Sequence, residues 1–103
     1  MAYSVLWTPD AEIQLDSIVT YLADTLCAPA AAADLIDAID AAAAKLAEMP
    51  YLHELARDAG LAERGYRKIG IKSYLVLYLV DEERMNVVIT NVFHSLQDYA
   101  RLV

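Results

Sequence analysis

The sequence predicts an α+β fold: an N-terminal antiparallel helix hairpin packed on a twisted antiparallel β-sheet. Two patterns carry this expectation. Apolar residues recur at three- and four-residue steps through the first half, then at alternate positions through residues 66–93, so the period switches near Gly65. Length sets the number of cores: 103 residues at 11.4 kDa form a single domain over residues 1–103, since two would each lack a sufficient core.

Residues 3–7 alternate and read as a short strand. Thr8-Pro9-Asp10 then reads as a helix start, with Thr as N-cap, Pro in the first helical position and acids in the first turn. Ala11, Leu15, Ile18, Val19, Leu22 and Leu26 form the apolar stripe of that helix. A break at Cys27-Ala28-Pro29 begins a second, alanine-rich helix. Its stripe is Leu35, Ile36, Ile39, Ala43 and Leu46, and Met49-Pro50 ends it. The join of two or three residues makes the pair a hairpin. Residues 51–65 read as irregular or as holding a brief helical turn, with Gly60 and Gly65 marking turns.

Three strands follow, at residues 66–71, 74–80 and 85–93, joined by Lys72-Ser73 and by residues 81–84. The middle strand is apolar on both faces, with Leu75, Leu77 and Leu79 on one and Tyr74, Val76, Tyr78 and Val80 on the other. One face covers the helices. The other needs a cover, expected from the C-terminal segment or from another chain.

Hydrophobic residues make up 58% of the chain, but alanine inflates that figure, and no uncharged stretch of the first half approaches the roughly 20 residues of a bilayer span. The N-terminus shows no basic lead and no extended apolar run, so no signal peptide is expected. The single cysteine, Cys27, closes no intramolecular disulfide and supports no thiolate metal cage. It reads as a buried or helix-end thiol in a cytoplasmic protein without a metal or other cofactor. Asp34, Asp37 and Asp40 step by three along the second helix and read as a solvated face.

The net charge of −7 is unevenly placed. Residues 1–50 hold eight acids and one base, Lys45, whereas residues 51–103 hold seven of each. Five of the latter bases, Arg57, Arg64, Arg67, Lys68 and Lys72, fall within sixteen positions. An acidic total argues against a protein built to follow a long phosphate backbone, yet leaves room for a small basic site.

The run from Gly65 to Glu83, followed by Val87-Val88-Ile89 and by Val92-Phe93-His94-Ser95-Leu96-Gln97-Asp98-Tyr99, resembles the RelE/ParE superfamily of toxins. These toxins belong to two-gene type II toxin–antitoxin modules, also described as plasmid stabilization systems. The Thr8-Pro9-Asp10-Ala11 entry into a helical hairpin is similar to the same family, and the likeness covers essentially the whole chain. It implies a growth-arresting toxin neutralised by a cognate antitoxin, with no membrane role. Association with a second copy is left open.

The superfamily holds two functional groups: one cuts messenger RNA on the translating ribosome, and the other poisons DNA gyrase. Cleavage by the 2′-hydroxyl without metal needs a base, an acid and positive charge around the phosphorane. For that role the resemblance offers Arg67, His94 and Tyr99 as catalytic residues. Arg67, Lys68 and Lys72 are the candidates for holding a phosphate or a target. Ribonuclease members often carry Arg where this chain has Leu75, and many members carry it where this chain has Asn91 and near Leu96. Those neutral residues weaken a ribonuclease centre and favour the gyrase-directed reading. The alternatives are a ribosome-dependent endoribonuclease and an inactive toxin fold that only binds antitoxin.

Tyr66, Tyr74 and Tyr78 share one parity on neighbouring strands and would build an aromatic surface. Such a surface stacks on bases, receives a partner helix at Tyr74 and Tyr78, or is plain cross-strand packing. Arg67 shares its face with Ile69 and Ile71, which places Lys68 on the concave side if the isoleucines meet the helices. His53 and Glu54 lie in the irregular connection and receive no role.

Overall fold

The computed structural model describes residues 2–95, so the expectations for Leu96 and Tyr99 lie outside the described residues. Strand β1 (Ser4–Trp7) leads into α1 (Pro9–Thr20), a π-helical turn (Tyr21–Thr25) and α2 (Pro29–Glu48). A short α3 (Ala59–Glu63) precedes β2 (Arg67–Ile71), β3 (Tyr74–Asp81) and β4 (Asn86–His94).

The helix start follows local chemistry. Thr8 is extended, its Oγ1 accepts from the Ala11 N–H at 3.1 Å, and Pro9 fills the first turn. The same hydroxyl donates to the Thr90 carbonyl at 3.0 Å, which ties α1 to β4. Gln14 adds a second tie, accepting from the Val92 N–H at 2.8 Å. Both ties have one cause. β1 pairs with β4 only as far as Trp7 opposite Ile89, so the edge of β4 beyond that point has backbone groups without a strand partner, and α1 supplies side chains to them.

The π-turn changes the expected stripe. The Leu26 N–H bonds to the Tyr21 carbonyl, a five-residue step, and the wider turn carries Leu26 off the core face to 52% exposure. Cys27 is exposed at the helix join with φ 50°, so it is the helix-end thiol and not the buried one. In α2, Ala32, Leu35, Ile39 and Leu46 are buried as the spacing demands, but Ile36 stays at the surface.

The sheet order is β1-β4-β3-β2. β2, β3 and β4 are antiparallel as expected, whereas β1 joins β4 in parallel, so the first and last strands lie side by side. Between Leu77 and Tyr78 the register shifts: Leu77 faces Asn91 and Tyr78 faces Ile89, leaving Thr90 as the extra residue of a bulge. Because side chains alternate, that single residue decides which way the end of β4 points. Val87, Ile89 and Val92 meet the helices, and Phe93 turns to the other face.

Two cores result. Under the hairpin, Leu35, Ile39 and Leu46 pack on Ile69, Val76 and Tyr78. On the opposite face Leu75, Leu77 and Phe93 meet Ala56, Leu61 and Tyr66. The cover for the second face therefore comes from the connection before β2. Among the described residues the cover is thus local, and the C-terminal segment expected there lies outside them: Asp58 caps α3 by accepting from the Leu61 N–H at 3.0 Å, and that turn lowers Leu61 onto the sheet.

The expected three-tyrosine surface is also corrected. A two-residue turn sets Ile71 opposite Tyr74, so odd positions of β2 share a face with even positions of β3. Tyr66 belongs to the second core and Tyr78 to the first, where it is fully buried and donates from its hydroxyl to the Pro50 carbonyl at 3.1 Å. Tyr78 is thus no part of the free chain's surface. Tyr74 remains half-buried at the sheet end.

Candidate functional site

The bases of the second half fall into two kinds. Arg67 opens β2 and is half-buried, on the helix side of the sheet with Ile69 and Ile71. Its Nη1 donates to the His53 carbonyl at 2.7 Å, and its guanidinium lies 4.9 Å from the centroid of the Tyr51 ring. The Tyr51 hydroxyl donates in turn to Glu82. That bond holds the phenol protonated, with lesser help from desolvation and the Glu82 charge, and its pKa is pushed up to about 12. Arg64 behaves similarly, stacking at 5.0 Å on the Tyr66 ring. These arginines fasten the connection to the sheet.

The second kind is unfastened. Lys68 points to the face opposite Arg67, as alternation from Ile69 required, and borders a polar recess with His53, Glu54 and Arg57. On the other flank of the β2 edge, Lys72 and Lys45 border a recess against α2. Both recesses share His53 and Gly70, so Lys45, Arg57, Lys68 and Lys72 surround one stretch of strand edge. The main chain explains the opening. Glu54–Ala56 bonds to β2 as far as Lys68, and Gly70 beyond it has no neighbour where a Cβ would stand. Burial, and then the Lys45 charge, lower the His53 pKa, as expected of an imidazole in positive surroundings.

Of this group the sequence reading named Lys68 and Lys72 and left Lys45, His53 and Arg57 aside. Arg57 belonged to the basic run, but Lys45 stands on α2, and no local pattern joins it to β2.

His94 closes β4 on the helix side, opposite Tyr74, with ring centroids 5.5 Å apart in an edge-to-face contact. Ser17, Ile18 and Tyr21 line the same groove. Arg67 pairs with Tyr78 while His94 pairs with Tyr74, four residues along and two strands across, or roughly 16 Å between Cα atoms from standard sheet spacings. The structure does not bring Arg67 and His94 to one phosphate. Leu75 and Asn91 are buried on the opposite face. The arrangement offers a positive edge able to hold an anionic group, separate from the histidine. Among the described residues no cluster of potential metal ligands occurs, and no helix is long and apolar enough to cross a membrane.

A two-helix hairpin laid over a four-stranded sheet, with the first strand parallel to the last at one edge, is an architecture of type II toxins. It matches the RelBE2 toxin–antitoxin complex of Mycobacterium tuberculosis with a TM-score of 0.63 at 22% identity, over 91% of this chain and 99% of that one. It matches the chromosomal ParDE system of P. aeruginosa with a TM-score of 0.70 at 16% identity, over 90% and 96%. For the intact E. coli RelBE complex the values are 0.62 and 17%, over 93% and 100%. At these identities the likeness is one of fold. No curated protein matches the sequence significantly. The sequence model of the ParE toxin of the type II toxin–antitoxin system parDE matches residues 5–99, and the chain belongs to that family.

Proposed function

We propose that this chain is the toxin of a two-gene module, held inactive by a cognate antitoxin, and that the free chain arrests growth by acting on DNA gyrase without cutting RNA. The separation of Arg67 from His94 carries this reading. A phosphorane needs its donors preorganised around one centre, and losing one such donor costs a factor of roughly 10² to 10³ in rate. Here Arg67 is committed to Tyr51 and His53, and the positions occupied by Arg in ribonuclease relatives hold Leu75 and Asn91 inside the protein. The match to the ParE family points the same way. Lys68, Lys72, Arg57 and Lys45 then serve as a docking edge for an acidic surface of the target, acting through charge rather than proton transfer. The relatives solved as complexes with antitoxins support the same partnership here.

The test is to express the chain alone and to follow growth, plasmid supercoiling, the DNA-damage response and primer extension on ribosome-bound message. The expected result is arrest with a damage response and intact message, unchanged in His94→Gln and relieved in Lys68→Ala/Arg57→Ala. Message cleavage that disappears in His94→Gln establishes the ribonuclease instead. A folded chain that leaves growth untouched establishes an inactive antitoxin-binding fold.

A further inference from the structure

The open half of the β2 edge has features that docking by charge alone leaves unused. On one side lies a polar recess of about 370 Å³, bordered by Arg57 and Lys68, with Glu54 as its one carboxylate. On the other lies a recess of about 350 Å³, bordered by Lys45 and Lys72. The floor of the second recess is apolar, made by Ala38, Ala41 and Ala42 of α2 and by Ile69 and Ile71 of β2. The four cations are half of the eight bases in a chain of net charge −7. Yet the one ion pair among the described residues joins Asp81 to Arg84, so none of the four has a carboxylate partner there. Unpaired positive charge gathered in an acidic protein marks a place for an anion that the chain does not supply.

The strand between the recesses adds a donor. The Lys68 N–H points out of the sheet, to the Glu54 carbonyl at 3.1 Å. Alternation along β2 turns the Gly70 N–H the same way, past the point where the connection leaves the edge. Gly70 is exposed, and a Cβ there would touch no other atom. A bare backbone N–H beside Arg57 and Lys68 suits phosphate oxygens, which accept from all three. A simple anion would use the polar recess and leave the alanine floor empty. A ligand with several phosphates and a flat ring system fills both. Lysines placed only to guard an open edge need neither recess nor floor.

We propose that the β2 edge binds a nucleoside polyphosphate, its phosphates among Arg57, Lys68 and the Gly70 N–H and its base on the alanine floor. Lys45 and Lys72 add attraction from the second recess. The site overlaps the docking edge described above, but its binding of a nucleotide does not depend on what that edge docks.

The test is calorimetric titration of the purified chain with ATP, inorganic tripolyphosphate, adenosine and a short oligoribonucleotide lacking a terminal phosphate. ATP is expected to bind at one site, tripolyphosphate about tenfold weaker for want of the ring, and adenosine not at all. Arg57→Ala/Lys68→Ala should weaken ATP about tenfold or more, and Glu54→Gln should tighten it about twofold or more. Arg84→Ala removes a cation outside both recesses and should matter less than about threefold.

Two further substitutions separate the recesses while sparing the fold. Gly70→Val puts a side chain into the open polar recess, on the face that Lys68 shares. It should abolish binding of ATP and tripolyphosphate and leave the urea unfolding midpoint unchanged or higher. Ala41→Leu fills the floor from an exposed helix position. It should lower ATP to the affinity of tripolyphosphate and leave tripolyphosphate unchanged. Equal losses from Arg84→Ala and from Arg57→Ala/Lys68→Ala mean diffuse attraction and overturn the proposal. An oligoribonucleotide that binds tighter than ATP overturns it as well, since a nucleic-acid strand then occupies the edge. No binding of ATP to the folded wild type at millimolar concentration overturns it too, and leaves the gyrase reading to its own test by growth and supercoiling.

Discussion

The helix hairpin and the region around β2 carry charge of opposite character and use it differently. Along the hairpin the carboxylates of Asp34, Asp37 and Asp40 are exposed and unpaired, so they act as a field spread over a surface. Around β2, Arg64 and Arg67 are spent locally, each on an aromatic ring, and Arg67 on a backbone carbonyl as well. Only the bases left over, Lys45, Arg57, Lys68 and Lys72, make a field there. A base in a sequence run can therefore be a strut or a docking charge, and the rings and carbonyls beside it decide which. Ring faces and carbonyls hold cations and not carboxylates, and the acidic half has Lys45 as its one base, so its charges remain available to a partner.

The largest test of this contrast lies beneath the connection that carries the struts. Leu77 is fully buried in the core formed with Ala56 and Leu61. Leu77→Ala should cost about 2–5 kcal/mol in urea unfolding, from lost transfer energy and the cavity left behind. A cost below about 1 kcal/mol would mean that the connection is not held by this core.

Arg67 separates strut from field more directly. Arg67→Ala should cost about 1–3 kcal/mol, from the charged hydrogen bond to His53 and the stacking on Tyr51. Arg67→Lys should recover little of it, because an ammonium lacks the planar fork that does both. Asp34→Lys on the hairpin should stay within about 0.5 kcal/mol of wild type by the same measurement. Comparable losses at the two positions would erase the distinction.

Smaller effects should appear with pH. The folded protein holds the His53 pKa below the ordinary 6.5, so the unfolded chain binds its proton first as pH falls. Stability should decline as pH drops below 6.5 toward that lowered pKa, and His53→Gln should remove this part of the slope. At the alkaline end the sign is reversed in cause. Tyr51 has its pKa pushed up to about 12 by the Glu82 hydrogen bond, so the bond's contribution is complete below pH 10 and fades as pH approaches 12. Absorbance titration should show one fewer late-ionising phenol in Glu82→Gln than in the wild type, the buried Tyr78 staying late in both, with almost no change in unfolding midpoint.

Much of this molecule was legible in the sequence because the relevant physics is local. Thr8-Pro9-Asp10 starts a helix through its own hydroxyl, ring and carboxylate, and the stripe through Leu35, Ile39 and Leu46 names its own buried face. The short apolar run of residues 74–80 between two turns read as a strand, and Ile69 and Ile71 placed Lys68 on the far side. The family resemblance was legible too, since it rests on the order of these patterns along the chain. Even the separation of Tyr66 from Tyr78 was available, because a two-residue turn pairs odd with even positions.

Tertiary structure alone decided the rest. The parallel seat of β1 beside β4 and the lid that Leu61 makes over Leu77 depend on contacts between distant parts of the chain. The bulge at Thr90 is the sharpest case: one unpaired residue sends Asn91 and Phe93 to one face and His94 to the other, far from Arg67. Alternation fixes side-chain direction along a strand only while the ladder is unbroken. Where it breaks is set by the partner strand and by the α1 side chains that bond to the Thr90 carbonyl and the Val92 N–H.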